Sequence, residues 1–134
     1  MPQATFVNKF LGTVVISYVH DTDRHNYDYQ VLLFTHDTPK AVVAYSPPDS
    51  ESFYPTDVCF YVIGGVTVLL VADWLGDSVH VLHVTEERLS FVRHLAADCT
   101  ELVKPGALST DWTGRLWVGC RGGTVLCGSP LGPD

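Results

Sequence analysis

Several groups of side chains in this sequence have types and spacings that could do chemistry. The densest is His20-Asp21-Thr22-Asp23-Arg24-His25, with His36 and Asp37 across an expected hairpin. Imidazoles and carboxylates together could hold zinc or another divalent ion. The plainer alternative is a solvated inter-strand loop running from Val19 to Asp28, polar because its backbone needs water. We expect the loop, with His20, Asp23 and His25 available to a binding partner and no metal bound. His80 and His83 lie three apart. Strand side chains alternate faces, so the two would point in opposite directions, one packed and one wet, and could not chelate one ion. Asp57, Asp73, Asp77 and Asp111 fall at strand ends and turns, where an Asp that bonds its own backbone is sufficient explanation.

Catalytic signatures are absent from the sequence. There is no G-x-S-x-G, and no Cys stands beside a His. Gly119-Cys120-Arg121-Gly122-Gly123 joins two strands, whereas a phosphate loop needs a strand-to-helix transition. No catalytic residue and no cofactor is therefore expected. The side chains best suited to gripping a partner are the large aromatics Trp74, Trp112 and Trp117, with Tyr45, Phe53 and Tyr54. Trp74 and Trp112 fall on turns just after a strand, as structural plugs or as interface anchors. In Leu116-Trp117, alternation makes one of the two core. Arg115 and Arg121 flank one strand, with Arg88 and Arg93 in the preceding segment. This grouping could touch RNA or an acidic partner, and scattered solvating charge is the plainer alternative.

Composition narrows the classes. The 134 residues make one ordinary domain with a sizeable core. Hydrophobic residues are 46% and charged residues 17%, which is globular rather than disordered. Fifteen acidic against eight basic residues give a net charge of −7, a field that repels polyanions and disfavours RNA. The apolar stretch from Val58 to Ala72 is too short, and too broken by Gly64-Gly65, to span a bilayer. Met1 to Phe10 lack the features of a secretory signal. Cys59, Cys99, Cys120 and Cys127 form no C-x-x-C pair, which points to free thiols in a reducing cytoplasm.

Short runs of Val, Leu, Ile, Phe and Tyr, bounded by Gly, Asp, Pro and Asn, carry these residues. That is strand punctuation. Pro105 to Asp111, Arg115 to Cys120 and Thr124 to Cys127 read as a meander with a hairpin turn at Gly122-Gly123. Pro55 to Phe60, Val68 to Asp73 and Ser78 to Val84 repeat the order, turning at Gly64-Gly65 and Leu75-Gly76-Asp77. A fainter copy comprises Gly12 to Tyr18 and Tyr29 to Phe34. Residues 85–97 admit a short amphipathic helix, but the repeat favours a turn at Glu86-Glu87-Arg88 and an outer strand from Leu89 to Leu95. Aligning Ile16, Val71 and Val118 gives spacings of 55 and 47 residues. A period near 50 made of four short strands signals propeller blades.

The stretches VLLVADWLGDSVHVLHV, Val68 to Val84, and KPGALSTDWTGRLWVGCRGGTVLC, Lys104 to Cys127, resemble the repeats of NHL-family β-propellers. Pro105-Gly106-Ala107-Leu108, Asp111, Gly114 and Leu116 to Gly119 follow the family pattern; Asp73 keeps its acid and Cys120 replaces it. The expected fold is all-β, a partial β-propeller of about three four-stranded antiparallel blades at 1–50, 51–98 and 99–134, the last incomplete. A six-bladed ring needs about 250 to 300 residues at this period. The chain would then be a fragment, or two copies would form a homodimer that completes the ring. The resemblance implies a non-catalytic recognition module, as at the C-termini of tripartite-motif ubiquitin ligases, binding a protein partner. RNA binding is the second possibility. A metal-dependent lactonase-like enzyme, using Asp57, Asp73 and Asp111, is the third.

Overall fold

The computed structural model describes residues 2–8, 12–21, 26–35, 43–45, 53–63, 65–85, 88–95, 103–111 and 114–128. These residues form eleven strands and no helix. The strands are β1 (Pro2–Asn8), β2 (Gly12–Asp21), β3 (Asn26–Thr35), β4 (Val43–Tyr45), β5 (Pro55–Ile63), β6 (Val66–Asp73), β7 (Ser78–Val84), β8 (Leu89–His94), β9 (Ala107–Thr110), β10 (Leu116–Cys120) and β11 (Gly123–Gly128). They make three antiparallel sheets in consecutive order: β1 to β4, β5 to β8, and a three-stranded sheet of β9 to β11.

The second sheet lies between the other two, and its central strand shows it. β6 is buried at every position from Val68 to Asp73. A strand covered on both faces reads as an unbroken apolar run rather than an alternation. Leu69 and Val71 join Val14, Ile16, Val31 and Leu33 of the first sheet in one core. Val68, Leu70 and Ala72 join Leu108, Leu116 and Val118 of the third in another. On β7, Val79 and Val81 serve the second core while Leu82 and Val84 serve the first. Leu116 is fully buried and Trp117 half-buried, which settles their alternation.

Residues Leu89–His94 form a strand at the outer edge of the second sheet, with Phe91 and Val92 about half exposed. The turn before it closes through Thr85: its N–H donates to Arg88 O at 3.0 Å, and Arg88 N–H donates to Thr85 Oγ1 at 3.0 Å.

Three expectations need correction. The stretch from Val19 to Asp28 is not all loop, because Val19↔Asp28, His20↔Tyr27 and Asp21↔Asn26 are paired. Tyr18, Val19, Tyr27 and Tyr29 favour strand strongly enough to carry the ladder through the intervening polar residues. The first sheet also has β1, whose mixed polar sequence lacks alternation; it pairs from Asn8↔Gly12 back to Pro2↔Ser17. Finally, Cys120 pairs with Gly123, so the last hairpin turns at Arg121-Gly122, and Gly123 opens β11 at φ 138°. No helix among the described residues is long and apolar enough to cross a membrane.

Candidate functional site

Antiparallel registry brings one end of β5, β6 and β7 together, since Asp73 pairs with both Pro55 and Ser78. Asp73 closes β6 and is 4% exposed. Its Oδ1 accepts N–H bonds from Tyr54 (2.9 Å) and Gly76 (3.1 Å), and its Oδ2 meets His80 Nε2 at 3.0 Å. The other ring nitrogen of His80, Nδ1, lies 2.9 Å from Tyr45 Oη on β4. Asp73, His80 and Tyr45 thus form a buried chain joining the first sheet to the second. Phe53, Phe91 and His94 enclose the imidazole at ring-centroid distances of 5.3, 5.8 and 4.9 Å. Gly76 is required beside it, because a Cβ there would stand 2.4 Å from Asp73 Oδ2.

The order Asp-His-Tyr is that of a proton relay, but this one is sealed. Burial, reinforced by the Asp73 charge, pushes Tyr45 up to about 12, which makes the phenol a poor nucleophile at neutral pH. Burial also pushes Asp73 upward, but hydrogen bonds from His80 and from the Tyr54 and Gly76 amides outweigh it and hold the carboxyl below its usual range. The group is a clamp between sheets. His83, three residues on, is exposed, so the two histidines are divided as alternation requires.

This clamp sets the acid side of the stability profile. His94 is held below its usual 6.5, first by burial and then by His80. Both His94 and Asp73 bind protons more weakly folded than unfolded, so each contributes stability above its unfolded value that is lost as pH falls. Unfolding free energy measured in urea should decline first below about pH 6.5 and again below about pH 4. His94→Gln should remove only the first decline. A profile flat from pH 7 to 5 in the parent protein would contradict the assignment. Asp57, raised mainly by burial and opposed by bonds from the Leu108 and Val58 amides, acts with the opposite sign and softens the lower step.

The other two acids are staples as well. Asp57 accepts Val58 N–H at 2.9 Å and, across to the third sheet, Leu108 N–H at 2.7 Å. Asp111 accepts Arg115 N–H at 3.0 Å, Arg115 Nε–H at 3.2 Å and Trp117 Nε1–H at 3.0 Å. Asp73-Trp74-Leu75-Gly76 and Asp111-Trp112-Thr113-Gly114 are therefore two copies of one D-W-x-G device. In each, the Asp side chain accepts one backbone N–H from three or four residues on and meets a ring nitrogen on the next strand. The sequence carries that signal, and the His80 and Trp117 roles could have been found from it. The repeat does not gather the carboxylates, since Asp57 and Asp73 lie at one end of the sheets and Asp111 at the other. No group of three His, Cys, Asp or Glu among the described residues is placed to hold a metal. Cys59 and Cys120 are half-buried free thiols, both pushed up chiefly by burial.

Beside the Asp73 clamp, Tyr54, Thr56 and Trp74 line an open recess of about 290 Å³. The backbone locks the two aromatic residues together: Trp74 N–H donates to Tyr54 O at 2.9 Å. The Tyr54 ring stacks on Tyr29 with centroids 4.8 Å apart. The Trp74 ring lies against Gly106, where a Cβ would sit 3.7 Å from it. Thr56 Oγ1 donates to Pro105 O at 3.1 Å, which commits its proton and leaves the oxygen able only to accept.

Of the residues singled out in the sequence, Trp74 and Tyr54 line this recess, whereas Tyr45 and Phe53 are buried in the core and present no surface to a partner. Arg121, exposed on the β10–β11 turn, belongs to the same end, where its N–H donates to Val103 O. His20 lies on the β2–β3 hairpin, which points to this end because Tyr29 reaches Tyr54. Arg115 stands at the opposite end of β10, bonded to Asp111. The expectations for Trp112, Asp23, His25, His36 and Asp37 fall outside the described residues. Sequence reasoning named Tyr54 among the anchors but missed Thr56 and the placing of both beside Trp74, because only the β5–β6 pairing brings them there. No family model, curated protein or solved structure matches the chain.

Proposed function

We propose that the three sheets are blades of an NHL-like β-propeller, about half of a ring with its last blade one strand short, and that the chain is a non-catalytic recognition module for a protein partner. The repeated strand order and the face-to-face stacking of the sheets support the blade assignment. The NHL resemblance suggests a tripartite-motif-type ubiquitin ligase, in which other domains would carry out transfer. Further blades would come from a longer chain or from a second copy.

The observation that carries the recognition reading is the aromatic recess at the end of the sheets that also carries the 74–77 and 121–122 turns. Trp74 is fixed there by its neighbours yet half-exposed, and Leu75 beside it is 47% exposed. A rigid aromatic anchor with an apolar neighbour suits a protein hot spot. RNA is less well served: Arg115 is bonded to Asp111 and lies roughly 20 Å from Arg121 along β10 at the ordinary strand rise. A photo-cross-linking amino acid at position 75 should trap one discrete polypeptide in cells, and Trp74→Ala should abolish that adduct while leaving the fold intact. The same adduct at the same yield in the Trp74→Ala background would refute the reading.

A further inference from the structure

The recess has a charge character that its aromatic walls alone do not reveal. Each of its described lining residues adjoins a carboxylate. Asp73 precedes Trp74 in the chain and takes the Tyr54 N–H; Asp57 follows Thr56. Both carboxylates are substantially withdrawn from water, where a charge acts over a longer range than at the surface. Among the described residues Lys104, committed to Asp77 at 3.6 Å, and Arg121, on the β10–β11 turn, lie at this end, and Arg93 precedes His94 on the outer strand β8. The chain as a whole carries −7.

Two aromatic rings backed by carboxylates attract a cation, because the face of a ring is negative and the acids deepen that potential. Thr56 adds a hydroxyl oxygen at the same wall, its proton already committed to Pro105 O. A planar cation that stacks on a ring and also donates hydrogen bonds uses all three features, and the guanidinium is that group; an ammonium brings charge and donors but no plane to stack on the ring. We propose that the Tyr54–Thr56–Trp74 recess is a binding site for an arginine side chain of a partner protein. This rests on the recognition reading and deepens it by naming the chemistry recognised.

The test uses small probes on the whole chain. N-acetyl-arginine-amide, titrated against isotopically labelled protein, should shift the Trp74 indole and Tyr54 amide resonances saturably. The same compound with citrulline in place of arginine keeps the shape and loses the charge, and should bind about tenfold more weakly. The lysine derivative acetylated only on its α-amine should also be weaker. Thr56→Val should reduce the arginine affinity several-fold, and raising the salt should weaken what remains. Citrulline binding as tightly as arginine, lysine matching arginine, or shifts scattered over the surface and unchanged in Trp74→Leu would each overturn the proposal. If the cross-link from position 75 still forms while the arginine probe fails, this inference falls and the recognition reading stands. Loss of the cross-link's dependence on Trp74 removes both.

Discussion

Replacing Asp73 by Ala should cost about 3–5 kcal/mol of unfolding free energy, the range for removing one partner from a buried polar pair. The substitution strips the acceptor from three donors at once: the Tyr54 and Gly76 amides and the His80 ring. It also leaves the imidazole, 3% exposed, enclosed by Phe53, Phe91 and His94. A side chain that deep cannot turn to water to recover its bond. Asp73→Asn should be far milder, about 1–2 kcal/mol. The amide oxygen can still accept from the two backbone groups, and its NH2 can face His80 Nε2 if the ring proton moves to Nδ1 and Tyr45 Oη becomes the acceptor. Tyr45→Phe removes that option, so the double variant carrying Asp73→Asn and Tyr45→Phe should lose more than the sum of the two single changes. Urea unfolding at pH 7 measures the parent and all of these variants. If the Ala variant does not fold, the cycle built from Asp73→Asn and Tyr45→Phe still decides the matter. Additive losses, or an Ala variant within about 1 kcal/mol of the parent at equal slope, would mean that the chain of three groups does not clamp the sheets.

How much of this the sequence revealed depends on whether the cause was local. Strand order and turns were legible because Gly, Pro and Asp punctuate apolar runs, and Gly65 and the residues around Gly76 fall where chain reversals occur. Residues 85–97 are ambiguous by periodicity, and the register of β7 with β8 resolves Leu89–His94 as strand. β1 was missed because a sheet edge can be held by backbone bonds that leave no side-chain pattern. At the site, Trp74 stood out by type and position, but its partners Tyr54 and Thr56 come from another strand, and the 19-residue separation of Tyr54 and Asp73 has no sequence signature. His80 was expected to be either packed or wet. What could not be read was that its burial rests on a phenol 35 residues upstream.

The unbroken apolar run of β6 leads to the second large effect. Leu69 and Leu70 are adjacent, both fully buried, and identical in type, yet they belong to different cores. Truncating either to Ala should cost about 2–5 kcal/mol through lost contacts and the cavity left behind. The total loss therefore will not distinguish them, but its location will. Leu69 packs toward Val14, Ile16, Val31 and Leu33, so Leu69→Ala should speed hydrogen exchange most in β2 and β3. Leu70 packs toward Leu108, Leu116 and Val118, so Leu70→Ala should do so most in β9 and β10. Exchange through sub-global openings reports such regional losses as long as global unfolding is slower than local opening. The third sheet, with three strands against four, has less backbone pairing to fall back on and should show the larger local change. Exchange that rises uniformly over the three sheets in both variants would mean that they share one cooperative core. The middle sheet would then be the centre of a single unit, and the picture of stacked repeats, each burying one face against the next, would not hold.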